Sequence, residues 1–411
     1  MDQQMRSQVD SIVKASIQAV LPDEAVKRAL EGAQLTGRIV LVAAGKAAWQ
    51  MAAAAAQQLG ERICRGVVVT KYDHVKGPIP GVDCYEAGHP VPDENSYKAT
   101  QAAIDAVSGL TQEDTVLFLL SGGGSALFEK PLIPNEDLTR LTQELLACGA
   151  DIVEMNTVRK RFSAVKGGKF AVLCKPAHVY AVVLSDIIGD PLDMIASGPA
   201  YPDSSTAQQA CAIAEKYHLT LTDQMRQLLE VETPKALDNV TTQITGSVRQ
   251  LCRAAEDACR TLGYKPVTLT ASLSCTARDA GVMLGNIAQF HQDRQESLAF
   301  LMGGETVVHL TGKGKGGRNQ ELALAAALGI AGMEGVAVFS LGSDGTDGPT
   351  DAAGGYADGE TYAQLKGQGI EIYQVLQDND AYHALEACGG LIKTGATGTN
   401  VNDVSILLLR K

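Results

Sequence analysis

The sequence predicts an α/β protein of two domains, and three observations carry the prediction. Short apolar, β-rich runs stop at glycine-rich loops that open into helices, and this order repeats along the chain. At 411 residues the chain exceeds one ordinary core, so two domains are expected. A composition of 45% hydrophobic, 20% charged and 5% aromatic residues is that of a compact soluble protein. The net charge of −12 argues against nucleic acid or an anionic membrane as partner.

The first segment, MDQQMRSQVDSIVKASIQAVLP, carries Asp2, Arg6, Asp10 and Lys14 at helical spacing, which leaves no uninterrupted apolar h-region. No apolar stretch is long enough to span a bilayer, and a cytoplasmic protein is expected. Nine cysteines without a C-x-x-C pair suggest neither zinc nor a disulfide framework.

Strand 38–44 (RIVLVAA) follows, stopping at Gly45-Lys46 and turning into an alanine-rich helix, 47–59. A lysine at such a junction sits where ligands bind in open α/β sheets; a solvated lysine is the plain alternative. Strands 66–70 and 83–87 lead to Gly88-His89-Pro90, where His89 is a catalytic candidate or, as is commoner between glycine and proline, a turn residue. Strand 115–120 (TVLFLL) runs into Ser121-Gly122-Gly123-Gly124-Ser125, a nest of backbone N–H groups and hydroxyls suited to a phosphate or carboxylate.

Residues 152–170 read as one helix closed by Gly167-Gly168, with Asn156, Arg159, Lys160 and Ser163 on one stripe and Lys166 and Lys169 at its end. Strand 179–185 delivers Asp186, then Gly189 and Asp190; a carboxylate there coordinates magnesium, takes a proton from a hydroxyl, or caps a helix. Periodicity fades over 228–246, which places the hinge there and gives domains 1–240 and 241–411.

In the second half, helix 247–262, strand 266–271 and helix 276–289 precede LMGGETVVHLTGKGKGGRNQE, residues 301–321. This stretch reads as an apolar strand, a second strand at 306–311, and a loop in which Gly312, Lys313, Gly314, Lys315, Gly316 and Gly317 lead to Arg318 and Asn319 at a helix start. Glycine N–H groups, the helix dipole and three cations make it an anion trap. The same letters spell G-x-G-x-x-G, so a dinucleotide fingerprint stays open, with Asp344 as its ribose acid. Strand 335–341 ends in a loop holding Asp344, Asp347 and Asp351, a set suited to a hard cation. Strand 403–409 closes the pattern.

Glycine nests, cations and carboxylates at strand ends, without a nucleophilic Ser–His pair, suit phosphoryl transfer. The motifs VAAGKAAWQMA, GHPVPDENS, LLSGGGSAL, NTVRKRFSAVKGGKFA, VLSDIIGDPLDMIASGP, GGETVVHLTGKGKGGRNQELALA and SLGSDGTDGPTDAAGG, in this order, resemble the glycerate 2-kinase family, the type that carries a C-terminal MOFRL domain. Arg161-Phe162 departs mildly from the familiar pattern.

The resemblance implies two Rossmann-like α/β domains with the active site in the cleft between them. It also implies ATP- and Mg2+-dependent phosphorylation of D-glycerate at its 2-hydroxyl. Lys46, Asp186, Arg318 and Asp344 then become the catalytic candidates. The binding candidates are Ser121 to Ser125 (Gly122, Gly123 and Gly124 included), Asn156, Arg159, Lys160, Lys166, Gly312, Lys313, Gly314, Gly316, Gly317 and Asn319. Those for the metal are Asp186, Asp190, Asp344 and Asp347. D-glycerate and ATP are the expected partners, with a homodimer left open. The rival readings are an NAD(P)-dependent hydroxypyruvate or tartrate oxidoreductase and a non-catalytic sugar-phosphate sensor.

Overall fold

The run Ile39–Ala44 (IVLVAA) is buried throughout, as apolar residues on both faces require of a central strand. In the computed structural model, which describes residues 2–411, it is β1 of a six-stranded sheet. Its companions are β2 (Ile63–Lys71), β3 (Val82–Ala87), β4 (Thr115–Leu120), β5 (His178–Leu184) and β6 (Val240–Gly246). The order is β3-β2-β1-β4-β5-β6, and the pairs from β3 to β5 are parallel. That is the order of a doubly wound sheet, whose direction of winding reverses between β1 and β4.

The second sheet has the order β11-β10-β9-β12-β8-β7. Its strands are β7 (Lys265–Leu273), β8 (Leu298–Gly304), β9 (Val336–Gly342), β10 (Gly354–Asp358), β11 (Leu391–Ile392) and β12 (Asp403–Leu409). Strand β12 runs antiparallel between β8 and β9, so this sheet is mixed. The register sets Asp403, the first residue of β12, opposite Gly304 on one side and Gly342 on the other.

The chain forms two compact units: Ala25–Leu184 with Asp190–Thr245, and Met1–Glu24 with Ser185–Gly189 and Gly246–Lys411. The main crossing thus falls a few residues beyond the expected 240, because 240–246 forms β6 where a hinge was expected. The N-terminal helix Gln3–Ala19 belongs with the C-terminal residues. It buries Met5, Val9, Ile12 and Ile17 in one cluster with Leu251, Phe339 and Leu341. Among the described residues, no helix is long and apolar enough to cross a membrane.

Two expected elements are corrected. The helix over 152–170 stops at Arg159 and gives way to a 3-10 turn, Lys160–Phe162; a separate helix, Lys169–Leu173, follows. Gly168, with φ +82°, starts that helix instead of ending the first. Residues 306–311 form no strand, and Val307 makes only an isolated bridge to Thr276. Both neighbours of β8 are already taken, by β7 and β12, so the segment runs over the surface with Leu310 84% exposed.

Candidate active site

In the first unit, the loops after β1 and β4 meet at the reversal point of the sheet. The Lys46 N–H donates to the Gly122 carbonyl at 2.9 Å, and the Ala47 N–H to the Ser121 hydroxyl at 3.0 Å. Ligands bind outside the carboxyl ends of the strands at such a point. The Lys46 carbonyl accepts from Thr70 and lies 3.1 Å from the His74 ring, so its backbone is fixed. Its ammonium forms no ion pair among the described residues and is the available cation of this crevice.

Gly123 takes φ +84°, and a Cβ there would lie 2.9 Å from the His89 ring and 3.2 Å from Lys46 Cγ. His89, read from sequence as a turn residue, therefore stands over the glycine nest. Burial first, then the charges of Lys46 and Lys71, push its pKa down, which keeps the ring neutral. Ser125 lies 3.0 Å from the Ser197 hydroxyl, which donates to Asn156 Oδ1 at 3.1 Å. Asn156 thus joins the nest, through a serine that the sequence had not singled out.

The basic segment does different work from the stripe expected of it. Lys160 is buried in an ion pair with Asp203 at 3.0 Å, and Lys169 donates to the carbonyls of Lys160, Arg161 and Ser163. Lys166 is fully buried, paired with Glu129, and donates to the Ser125 carbonyl at 2.8 Å. Burial pushes its pKa down to about 8 in spite of Glu129. Lys166 therefore holds the nest from beneath. Arg159 is half-buried, and its Nε has no hydrogen-bond partner.

In the other unit, the expected anion trap is filled by the chain's own carboxylate, amide and carbonyl oxygens. The N–H groups of Gly312, Lys313 and Lys315 donate to side-chain oxygens of Asn379, Asp378 and Asp380, and that of Gly314 to the Asp378 carbonyl. The loop needs glycine for close approach: a Cβ on Gly312 would lie 2.2 Å from Asp378 Cα, and one on Gly314 2.4 Å from Asp380 Cβ. Lys315 lies over the Tyr382 ring, 4.1 Å from its centroid. The helix Arg318–Gly329 that follows is capped by Asp347, which accepts from the N–H groups of Asn319 and Gln320 at 3.1 and 2.9 Å. Asp347 also packs on Gly317, whose added Cβ would lie 2.2 Å from its Cγ. Six N–H groups of this loop and helix start are thus already engaged within the protein, which leaves few for a dinucleotide pyrophosphate.

Arg318 is the centre of a second cluster. Its Nε and Nη2 donate to the two oxygens of Asp403 at 2.5 and 2.9 Å, and its Nη1 to Glu305 at 2.8 Å. Burial lowers its pKa, but the hydrogen bonds and charge of Asp403, with the charge of Glu305, reverse this and raise it. Asn402 extends the cluster, donating from Nδ2 to the Asp186 carbonyl at 3.2 Å and more loosely to Glu305. Asp344 borders it: a Cβ on Gly342 would lie 3.2 Å from Asp344 Oδ1 and 3.4 Å from Asp403 Oδ1. Asp186, Arg318 and Asp344, far apart in sequence, thus share the ends of β8, β9 and β12.

Sequence reasoning missed Glu305, Asn402 and Asp403. The signal for Asp403 was present, since it is the one charged residue of the buried-strand pattern DVSILLL. Among the described residues, no three His, Cys, Asp or Glu side chains gather as a metal-binding group.

Residues 8–230 match the family described as "Domain of unknown function (DUF4147)", and residues 298–403 match the MOFRL family. D-glycerate 2-kinase of Thermotoga maritima is 52% identical over 404 residues, covering 97% of each chain. The chain belongs to the glycerate 2-kinase family. Glycerate 2-kinase of Pyrococcus horikoshii is 40% identical over 393 residues, covering 92% of this chain and 88% of that one. The crystal structure of glycerate kinase from Thermotoga maritima has a TM-score of 0.95 at 51% identity, covering 99% of this chain and 100% of the other.

Proposed function

We propose that the protein transfers the γ-phosphoryl group of ATP to the 2-hydroxyl of D-glycerate, giving 2-phosphoglycerate and ADP. The observation that carries this reading is the near full-length likeness to the Thermotoga D-glycerate 2-kinase. The geometry supports it with a cation and a glycine nest at the reversal point of a doubly wound sheet. A second, arginine-centred cluster carries the aspartates.

Glycerate's carboxylate and the γ-phosphate repel each other, so fixed positive charge must offset their approach. Lys46 supplies it beside the Ser121–Ser125 nest, and Arg318 supplies it in the other unit. The 2-hydroxyl loses its proton to Asp186, whose backbone is tied by Asn402 to the Arg318 cluster; Asp344 is the neighbouring carboxylate.

Magnesium fits this donor set in a limited way. Mg2+ takes oxygen ligands and keeps several waters, usually resting on one or two carboxylates plus substrate phosphates. Asp190 has a buried Oδ1 with no hydrogen-bond partner in the protein, which suits it to such a contact. The ion would supply charge neutralisation to the phosphates. Nine free cysteines fit the reducing cytoplasm, where ATP is at hand.

The test is ADP release with ATP, Mg2+ and D-glycerate, against L-glycerate and substrate-free controls. D-specific ADP formation is expected, and Lys46→Ala and Arg318→Ala each lower turnover by at least about a hundredfold, the scale of losing one charge-stabilising donor. NADH oxidation with hydroxypyruvate and no ADP would overturn the reading in favour of the oxidoreductase.

A further inference from the structure

Arg318 holds two carboxylates in two different ways. Asp403 takes Nε and Nη2 in a bidentate fork, and its side chain is 6% exposed. Glu305 takes Nη1 through one oxygen, and its side chain is 47% exposed. A buried bidentate partner fixes a guanidinium, while a half-exposed single contact competes with water and other anions.

Glu305 has little else to hold it. Its second oxygen lies 3.4 Å from Asn402 Nδ2, which also donates to the Asp186 carbonyl at 3.2 Å and keeps that bond if Glu305 leaves. The residue follows the last position of β8, so its backbone stays anchored while its side chain swings. Asp403, at the head of β12 between Gly304 and Gly342, has no such freedom.

We propose that Glu305 is a stand-in for the substrate anion at Arg318, displaced when a carboxylate or phosphate binds, and that Asp403 is the positioning residue that keeps the guanidinium aimed. The exchange is like for like. One oxyanion leaves Nη1 and another takes its place, so the charge around Arg318 stays balanced in both states and the apparent affinity is set by competition. The inference rests on Arg318 being an anion-binding residue of the kinase reading.

Calorimetric titration tests it directly, with D-glycerate and a non-hydrolysable ATP analogue in separate arms that distinguish a carboxylate guest from a phosphate. Glu305→Gln is expected to bind one of the two about two- to fivefold more tightly than wild type, the scale of one partly exposed ion pair. The gain should vanish on an Arg318→Ala background. Unchanged or weaker binding of both ligands by Glu305→Gln would overturn the proposal, as would a gain that persists without Arg318. The melting temperature of Glu305→Gln, expected near wild type, guards against a folding artefact. Asp403→Asn is expected to lower kcat more than it raises KM, with Asp403→Glu restoring part of the loss; a purely structural residue would show no such split. ADP release assayed in parallel keeps the questions separate: normal binding effects without turnover would sink the phosphotransfer reading and leave this inference standing.

Discussion

Asp347 shows how the fold gives a residue work that its sequence neighbours do not announce. In the sequence it sits in an aspartate-rich loop and reads as a cation ligand; in the fold it caps the helix that begins at Arg318. Burial pushes its pKa up to about 6, with the charge of Asp403 adding, against the lowering effect of the N–H groups of Gln320 and Asn319. Because the folded pKa lies above the unfolded value of about 4, the folded state keeps a proton that the unfolded chain has released. The stabilisation from this group is therefore full below about pH 4 and is lost as the pH rises through about 6. Comparing urea midpoints of wild type and Asp347→Asn should show wild type losing ground over that window and levelling off above it. A constant difference would mean that the carboxyl is not raised. Lys160 and Lys166 teach the same lesson. Their basic character was legible, but their burial against Asp203 and Glu129 depends on partners tens of residues away.

At the scale of elements, the apolar runs fixed most strands, and TVLFLL and DVSILLL fall on β4 and β12 without adjustment. Failures came where an element depends on a neighbour. The run TVVHLT has strand propensity but no free sheet edge beside β8, and β10 (GGYAD) is a strand because β9 and β11 flank it. Glycines in the 312–317 loop were legible as a motif, but their cause was not. Gly312 and Gly314 allow the backbone to lie against the 378–380 turn, where a Cβ would collide with it, and Gly317 makes room for Asp347. Gly314→Ala is therefore expected to lower stability by about 1–3 kcal/mol, the usual scale of overpacking. Gly367→Ala is the control: it lies at the end of the helix Thr361–Gly367 with nothing within 4 Å of an added Cβ, so stability should hold or rise slightly. Equal urea midpoints for the two variants would remove close packing as the reason for these glycines.

At the scale of the molecule, the two-unit organisation was legible from length and from the repeated order of strand, glycine loop and helix. The return of the N-terminal helix to the C-terminal residues was not, since its apolar face suits any core and only the fold selects Leu251 and Phe339 as its neighbours. The candidate site was half legible. Lys46 and Ser121 stand at strand ends and Arg318 at a helix start that local patterning reveals, whereas Glu305, Asn402 and Asp403 converge on Arg318 only through the register of β12 between β8 and β9.

The central claim is phosphorylation at carbon 2 of D-glycerate, and proton-coupled phosphorus NMR of the product tests it most directly. A phosphate on carbon 2 neighbours one carbon-bound proton and gives a doublet, whereas one on carbon 3 neighbours two and gives a triplet. A doublet that appears only with ATP and D-glycerate together is expected; a triplet, or no new phosphate ester at all, would contradict phosphorylation at carbon 2.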